Sequence, residues 1–174
     1  DLLSDVEVTV DEWHRQRAIY ERCNRRDTLR LGFATFYLNR TTRSGIVHNG
    51  GPIGGYEQDG LYKIDARFNR DQLARRIQRI GFYADRIRVS GDDGLAFLKE
   101  IDRDRSASRP TFAYLDPPYY VKGAELYLNR FTPGEHRTLA RFLGKPRRFP
   151  WLMTYDNVAA IRDLYDRFPQ VSFS

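Results

Sequence analysis

Two kinds of hydrophobic pattern divide the chain. Apolar residues recur about every three or four positions in several stretches, which predicts helices that begin near 9, 28, 69, 95, 132 and 158. Short runs of consecutive apolar residues predict buried strands at 87–89, 112–115, 151–155 and 171–173. Helices and strands that alternate in this way indicate an α/β fold, with a sheet covered by helices on both faces.

Residues that can cap a helix support several of these starts. Thr9 and Thr132 each have a glutamate three positions later, which is the spacing of a capping box. Pro133 also suits the first position of a helix, because its missing N–H would have no partner there. Thr28 and Asn69 are suitable caps for the helices that follow them.

The stretch from 41 to 64 follows neither pattern. Turn signals rich in glycine succeed one another there, at Ser44-Gly45, Asn49-Gly50-Gly51-Pro52, Gly54-Gly55 and Asp59-Gly60. We therefore expect hairpins and loops inserted between helices. The glycines do not form a Gly-x-Gly-x-x-Gly sequence after a strand, so a dinucleotide loop is not expected. Composition alone fits an ordinary mobile surface loop and a basic target-recognition lobe equally well.

The composition fits a soluble globular protein, with 41% hydrophobic and 30% charged residues in a chain of 174. This length suits one domain or part of one. No apolar run approaches the roughly 18 residues of a membrane span, and no signal peptide is visible. The single cysteine, Cys23, cannot form an internal disulfide, which fits a reducing cytoplasm. The three histidines are widely spaced, so no metal site is expected.

The charge balance points to a polyanionic partner. The net charge is +6 and the pI is about 9.6, and the excess consists of arginine rather than lysine. Arginine favours bidentate contacts with phosphate groups and with guanine edges. A basic balance is weak evidence alone, but it supports a nucleic-acid partner beside a motif that handles bases.

Such a motif follows the strand predicted at 112–115. Asp116 lies at the end of this strand, and Pro117 and Pro118 then prevent further ladder pairing. The prolines stiffen a segment that holds a carboxylate, free carbonyl oxygens and the ring of Tyr119. Asp116 and the Pro117 carbonyl are suited to accept the two hydrogens of an aromatic amino group, and Tyr119 offers a stacking face. The alternative is a strand that ends in an ordinary Asp-Pro turn.

Four segments together resemble the Dam-like DNA adenine-N6 methyltransferases. Asp116-Pro117-Pro118-Tyr119 is similar to the DPPY motif of S-adenosylmethionine-dependent amino methyltransferases in general. More specific is Phe36-Tyr37-Leu38-Asn39-Arg40-Thr41, which is similar to that family's aromatic-Leu-Asn-Arg-Thr segment. Phe68-Asn69-Arg70 and Met153-Thr154-Tyr155-Asp156-Asn157 follow in the family's order. The resemblance extends from about 13 to 174.

The resemblance implies a fold, a cofactor and a set of site residues. The fold would be part of a Rossmann-like sheet that binds S-adenosylmethionine, with 40–66 as inserted target-recognition loops. Asp116, Pro117, Pro118 and Tyr119 would form the catalytic segment. Asp116 and the acidic turn at Asp92 and Asp93 would contact the cofactor. Asp93 alone is also compatible with a helix cap.

The resemblance also implies a DNA-binding segment. The family places a recognition hairpin after the Asn-Arg-Thr segment, so the expected DNA contacts are Arg40, Thr41, Arg43 and Ser44. Arg43 and Ser44 would lie at the tip, where the family commonly has an aromatic residue and an asparagine. The target sequence is therefore open. The expected partner is double-stranded DNA, with a partner restriction nuclease in a bacterial, archaeal or phage setting.

The family's lysine-bearing start and its aromatic-x-Gly-x-Gly loop do not occur in this sequence. We therefore expect a fragment, 1–174, of a methyltransferase domain. The predicted activity is methyl transfer from S-adenosylmethionine to the amino nitrogen of a flipped adenine in DNA. Two alternatives stay open, namely a basic DNA-binding remnant that has lost catalysis and an RNA base amino methyltransferase.

Overall fold

The structure is a computed structural model, and it describes residues 1–22, 26–104, 111–121 and 131–173. Cys23 lies outside this part of the chain. The described residues form two compact units, Asp1–Val89 and Ser90–Ser174. The prediction that 1–174 is part of a methyltransferase domain stays a prediction. Among the described helices, none is long and apolar enough to cross a membrane.

The first unit is helical. Its helices are α1 (Leu2–Asp5), α2 (Val10–Arg22), α3 (Thr28–Thr41) and α4 (Arg70–Phe82), with short 3₁₀ turns at Arg43–Gly45 and Ala84–Arg86. Helix α2 packs against α3, and α1 packs against α4.

The helix starts of the first unit follow the capping residues. The Thr9 hydroxyl accepts a hydrogen bond from the Glu12 N–H at 3.1 Å, and the Asn69 side chain accepts one from the Gln72 N–H at 3.0 Å. The predicted cap at Thr28 is wrong. Asp27 caps α3 instead, and its carboxylate accepts from the Arg30 N–H at 3.2 Å. A carboxylate beside the positive end of the helix dipole explains this choice.

The core of the first unit forms around α3. Tyr37 and Leu38 are fully buried there, and they pack with Trp13, Phe68 and Leu73. The polar atoms of these aromatic residues have partners, as buried polar groups require. The Trp13 indole donates to the Thr42 hydroxyl at 3.0 Å, and the Tyr37 hydroxyl lies 3.1 Å from the Glu7 carbonyl oxygen, to which it donates.

The segment between α3 and α4 is irregular. The predicted hairpins are not formed, and an isolated antiparallel bridge joins Thr42 to Pro52 instead. Gln58 holds the loop together, because its side chain donates to the Ile53 carbonyl and accepts from the Ile64 N–H, both at 2.8 Å. Gly54 has a φ of 85°, and a Cβ there would meet the Tyr62 carbonyl oxygen at 2.6 Å. Tight turns of this kind replace the ladder that the hairpin prediction assumed.

Two predicted strands are not assigned as strands. Residues 87–89 and 171–173 have no ladder partner among the described residues, and Val89 and Phe173 are each 92% exposed. A strand requires a neighbour for its N–H and carbonyl groups, and an apolar run alone does not supply one.

The second unit contains a parallel pair of strands with helices beside it. Its elements are α5 (Gly94–Arg103), β1 (Ala113–Leu115), α6 (Pro133–Leu143), β2 (Trp151–Met153) and α7 (Ala159–Leu164). The strands predicted at 112–115 and 151–155 are confirmed in shorter form. The predicted capping box of α6 is also confirmed, with the Thr132 and Glu135 side chains each bonded to the other residue's N–H. The larger Rossmann-like sheet stays a prediction.

The two strands pair in a register that separates their faces. Ala113 is opposite Trp151, and Leu115 is opposite Met153. These four side chains pack into a core with residues of α5, α6 and α7. The other face carries Phe112, Tyr114 and Leu152, which are 61%, 58% and 55% exposed. Because the strands are parallel, both end at the same edge, and the residues that follow them lie together.

We expect Tyr37→Phe to lower the free energy of unfolding by about 1 kcal/mol at neutral pH, because two backbone carbonyls lose a donor. Burial raises the pKa of Tyr37 to about 12. The unfolded chain, with a tyrosine pKa near 10, therefore ionises first, and wild-type stability is lost as the pH rises from about 10 to about 12. The Tyr37→Phe variant has no ionisable group at this position, so its stability does not fall with pH for this reason.

Urea unfolding at neutral and at alkaline pH measures the difference. The gap between wild type and Tyr37→Phe should narrow above a pH of about 10. Tyr62→Phe is the control, because Tyr62 is 67% exposed. A gap that stays constant with pH would contradict the assignment.

Candidate functional site

The residues that follow β1 and β2 are joined by a chain of hydrogen bonds. The Thr154 hydroxyl donates to Oδ1 of Asp116 at 2.8 Å, and the Tyr114 hydroxyl lies 3.0 Å from the Thr154 oxygen. The Thr154 hydroxyl has one hydrogen, and it donates this hydrogen in the bond to the carboxylate. The Tyr114 hydroxyl must therefore be the donor in its bond with Thr154. No described residue bonds Oδ2 of Asp116. One oxygen of this exposed carboxylate is therefore oriented by Thr154, and the other is left without a partner among the described residues.

A second carboxylate anchors the segment after the two prolines. Asp156 accepts hydrogen bonds from the N–H groups of Tyr120 and Val121, at 2.9 Å and 3.0 Å. Pro117 and Pro118 have no N–H to offer. Asp156 instead holds the N–H groups of the two residues that follow Tyr119. Asp156 thereby fixes the position from which the half-buried Tyr119 ring projects.

His136 is buried beneath this segment and supports it by packing. It is 1% exposed, its Nδ1 bonds the Tyr155 hydroxyl, and its ring lies 4.9 Å from the Tyr120 ring centroid. Burial lowers the pKa of His136, which the negative charges of Asp156 and Glu135 oppose. A neutral imidazole in this position is a packing residue beneath Tyr120.

The acidic turn before α5 has local partners. Asp93 caps α5, and its carboxylate accepts from the Ala96 N–H at 2.9 Å. Asp92 accepts from the Ser90 hydroxyl, and its own N–H donates back to Ser90 at 3.1 Å. The helix-cap alternative therefore describes Asp93 well. Among the described residues, no hydrogen bond links this turn to Asp116, and its contact with a cofactor stays a prediction.

The predicted DNA-binding residues of the first unit differ in accessibility. Arg43 and Ser44 are both exposed in the 3₁₀ turn after α3, where Ser44 has a φ of 55°. The guanidinium of Arg40 donates to the Asn39 side-chain oxygen at 2.9 Å, while the Asn39 amide donates to the Gly45 carbonyl at 3.3 Å. Asn39 therefore connects Arg40 to the turn.

Thr41 is placed differently from the prediction. Its side chain is fully buried, and its hydroxyl donates to the Tyr37 carbonyl at 2.8 Å within α3. A direct contact between this side chain and DNA does not fit that burial. Thr41 instead ends α3 inside the core, which sets where the next residues emerge.

Sequence reasoning missed Arg67, which supports the same turn. One nitrogen of its guanidinium donates to the Asn39 carbonyl at 2.8 Å and to the Thr42 carbonyl at 2.7 Å. These are carbonyls at the end of a helix, which lack partners within the helix. Burial and the nearby charge of Arg40 lower the pKa of Arg67. Nothing in the local sequence around Arg67 signals this long-range role.

Thr154 and Asp156 were noticed only as part of a family segment. Their roles depend on the pairing of β1 with β2, which places them beside residues almost forty positions earlier in the chain. The signal that could have found them was polar residues directly after a buried strand.

A scan against protein-family models, a search of curated proteins and a search of solved structures each found no match to this chain. Within the part of the chain that the structure describes, no three acidic, histidine or cysteine residues form a group suited to a metal ion.

Asp156→Asn should loosen the segment after the prolines. Asparagine keeps one acceptor oxygen but turns an NH₂ group towards an N–H donor, so we expect a loss of about 1–3 kcal/mol in the free energy of unfolding. Hydrogen exchange at the Tyr120 and Val121 amides should also accelerate. Asp163→Asn on the exposed side of α7 is the matched control. Unchanged exchange at both amides would contradict the anchoring role of Asp156.

Proposed function

We propose that this protein transfers a methyl group from S-adenosylmethionine to the exocyclic amino nitrogen of adenine in DNA, after the base has been flipped out of the duplex. The observation that carries the proposal is the oriented carboxylate of Asp116, followed directly by Pro117, Pro118 and Tyr119 at the end of β1. Thr154 holds one oxygen of that carboxylate and leaves the other available.

The proposed chemistry depends on two acceptors around one nitrogen. The free oxygen of Asp116 and the carbonyl of Pro117 accept the two amino hydrogens of the adenine. This fixes the nitrogen for in-line attack and favours the positive charge that develops on it. The new bond joins nitrogen to the methyl carbon while the carbon–sulfur bond breaks, and one amino proton is then lost to solvent. The enzyme forms no covalent intermediate.

Tyr119 and the anchored backbone hold the base. Flipping costs a few kcal/mol, and stacking on an aromatic ring returns about 1–3 kcal/mol per base. The Asp156 anchor at Tyr120 and Val121 supports this role, because a stacking ring must be held in place to be worth that energy. Pro118 limits the freedom of the backbone just before Tyr119.

The cofactor contributes an electrophilic methyl group on a positively charged sulfur. The residues that would hold it are Asp116, Asp92 and Asp93. The exposed carboxylate of Asp92 has the Ser90 hydroxyl as its side-chain partner and fits an adenosine amino or hydroxyl group. Asp93 fits less well, since it already caps α5. The sequence contains no Gly-x-Gly after a strand to hold the methionine end.

Double-stranded DNA is the proposed partner of the turn after α3. Arg40, Arg43 and Ser44 would contact it, and Asn39 and Arg67 would hold the turn in shape. The basic net charge of +6 favours association with phosphate groups. The alternatives of an inactive DNA-binding remnant and an RNA methyltransferase are outcomes of the experiments below.

Asp116→Asn should lower the rate of methyl transfer by roughly two to three orders of magnitude, the loss typical of a preorganised polar group. Asparagine keeps one acceptor but removes the charge. Tyr119→Ala should instead weaken capture of the flipped base by about 1–3 kcal/mol, and Tyr119→Phe should be tolerated. Single-turnover methylation by the full-length protein measures the rate, and a fluorescent adenine analogue follows flipping.

The exposed Asp163→Asn variant is the control for loss of charge. A folded Asp116→Asn variant with an undiminished rate would refute the catalytic role. Methylation of structured RNA in preference to duplex DNA would favour the RNA alternative. Duplex binding by the full-length wild type without any methyl transfer would favour the inactive remnant.

Arg43→Ala in the full-length protein should change the preference among DNA sequences. Arg76→Ala, on the exposed side of α4, should lower affinity evenly and reduce the salt slope by about one at most. Binding to cognate and unrelated duplexes, measured for both variants, separates these effects. If Arg43→Ala binds the cognate duplex as tightly as the wild type does, and also binds the unrelated duplex as tightly as the wild type does, the turn does not read sequence.

A further inference from the structure

A groove with a strongly basic lining lies between α5 and α6 in the second unit. Its volume is about 370 Å³. The charged side chains that line it are Lys99, Asp102, Arg103, Arg141, Lys145 and Arg147. Five of the six are cations, and four of those five are exposed to solvent.

The groove lies at the opposite end of the strands from Asp116. Arg147 and Arg148 lie a few residues before the start of β2 at Trp151, and the Pro150 carbonyl at this end accepts a hydrogen bond from the Ala113 N–H at 3.0 Å. Asp116 and Thr154 follow the other ends of the same strands. The basic lining is therefore separate from the candidate site for methyl transfer.

The carboxylate in the lining is already used. Asp102 accepts from the guanidinium of Arg147 at 2.6 Å and from the Arg148 N–H at 3.1 Å. Arg147 also lies over the Phe142 ring, 4.2 Å from its centroid, and only 10% of its side chain is exposed. Asp102 and Arg147 thus form a neutral pair that shapes the base of the groove.

Among the described residues that line the groove, four cations then have no acidic partner in the lining, namely Lys99, Arg103, Arg141 and Lys145. Arg103 and Arg141 lie in the last turns of α5 and α6, where the helix dipole favours positive charge. The dipole does not account for Lys99, which lies a turn earlier on the same side of α5. Like charges gathered in one concave surface repel one another, and an anion in the groove would relieve that repulsion.

We propose that this groove binds the phosphate backbone of duplex DNA, in a segment other than the one that presents the target base. Several exposed Lys and Arg side chains along one groove match a row of phosphates better than a single small anion. The contact is independent of sequence, because the lining offers charge and no element that enters a base groove. The choice of DNA as the polyanion rests on the proposed function, but the groove and its charge do not.

The consequence is an affinity that depends steeply on salt. Each neutralised phosphate adds about 0.9 to the slope of log affinity against log salt, so four contacts add about 3.6. Between 50 and 200 mM salt the groove alone would then account for a loss of about 150-fold. Removing two of the four cations should reduce its share to about 12-fold.

The test compares two pairs of substitutions in the full-length protein. Arg141→Gln with Lys145→Gln removes two cations of the groove. Arg22→Gln with Arg30→Gln removes the same charge from exposed sites in the first unit. Fluorescence anisotropy with a labelled duplex, over a series of salt concentrations, gives the slope for each.

We expect the groove pair to reduce the salt slope by about 1.8 and the control pair to reduce it much less. The double variant Lys99→Gln with Arg103→Gln should show the same reduction in salt slope. Agreement between the two double variants excludes misfolding of the first as the cause. Equal slopes for groove and control pairs would overturn the proposal. Pyrophosphate provides a second way to overturn it. If pyrophosphate removes the difference in salt slope between the groove pair and the control pair but leaves the wild type's affinity for duplex DNA unchanged, the groove is a site for a small anion.

These binding data, taken with the single-turnover methylation assay, separate this inference from the proposed function. If the wild-type protein binds no duplex at low salt, the DNA partner is wrong and both proposals fail. If the wild type binds and methylates duplex DNA but the groove pair behaves like the control pair, only the groove proposal fails. If the groove pair shows the expected slope while no methyl transfer occurs, the groove proposal stands and the proposed activity fails.

Discussion

Two consecutive prolines set the constraint on which the second unit depends. β1 ends at Leu115, and after Asp116 neither Pro117 nor Pro118 has an N–H donor, so the backbone cannot continue the ladder with β2. The chain must be held by a group outside the ladder, and the Asp156 carboxylate does this through the next two available donors after Tyr119. The strand pairing is needed first, because it brings the end of β2 beside the end of β1. The short parallel pair thus controls the geometry of the whole segment.

In the first unit, too, side chains hold an irregular stretch of backbone in place, here through an arginine and an asparagine amide. The turn after α3 contains Ser44 in a left-handed conformation, which costs free energy for a residue other than glycine. Asn39 and Arg67 bond carbonyl groups on either side of it, so the end of the helix and the turn support each other. Both units therefore present charged or polar residues on backbone that distant side chains hold in place.

Local sequence predicted the parts of the fold that local forces determine. The Thr132 and Glu135 capping box and the Asn69 cap act over a few residues, and both were predicted. The strand expected at 87–89 depends on a partner elsewhere in the chain, and an apolar run carries no information about that partner. Burial of Thr41 and the long-range bonds of Arg67 and Thr154 were missed for the same reason. The bonds of Arg67 and Thr154 join residues that are 25 or more positions apart in the chain. The hydrogen bond of Thr41 is local to its helix, but its burial depends on tertiary packing.

The exposed sheet face has a consequence for the carboxylate at its edge. Tyr114 belongs to that face and begins the hydrogen-bond chain that ends at Asp116, so water competes with its hydroxyl for Thr154. Anything that covers Phe112, Tyr114 and Leu152 would lower the local dielectric constant. Hydrogen bonds in series polarise one another, and each gains strength when water is excluded. Covering this apolar surface would therefore restrict the motion of the Asp116 carboxylate, two residues beyond Tyr114. Desolvation on one face of the strands is thereby coupled to the orientation of a charged group at their end.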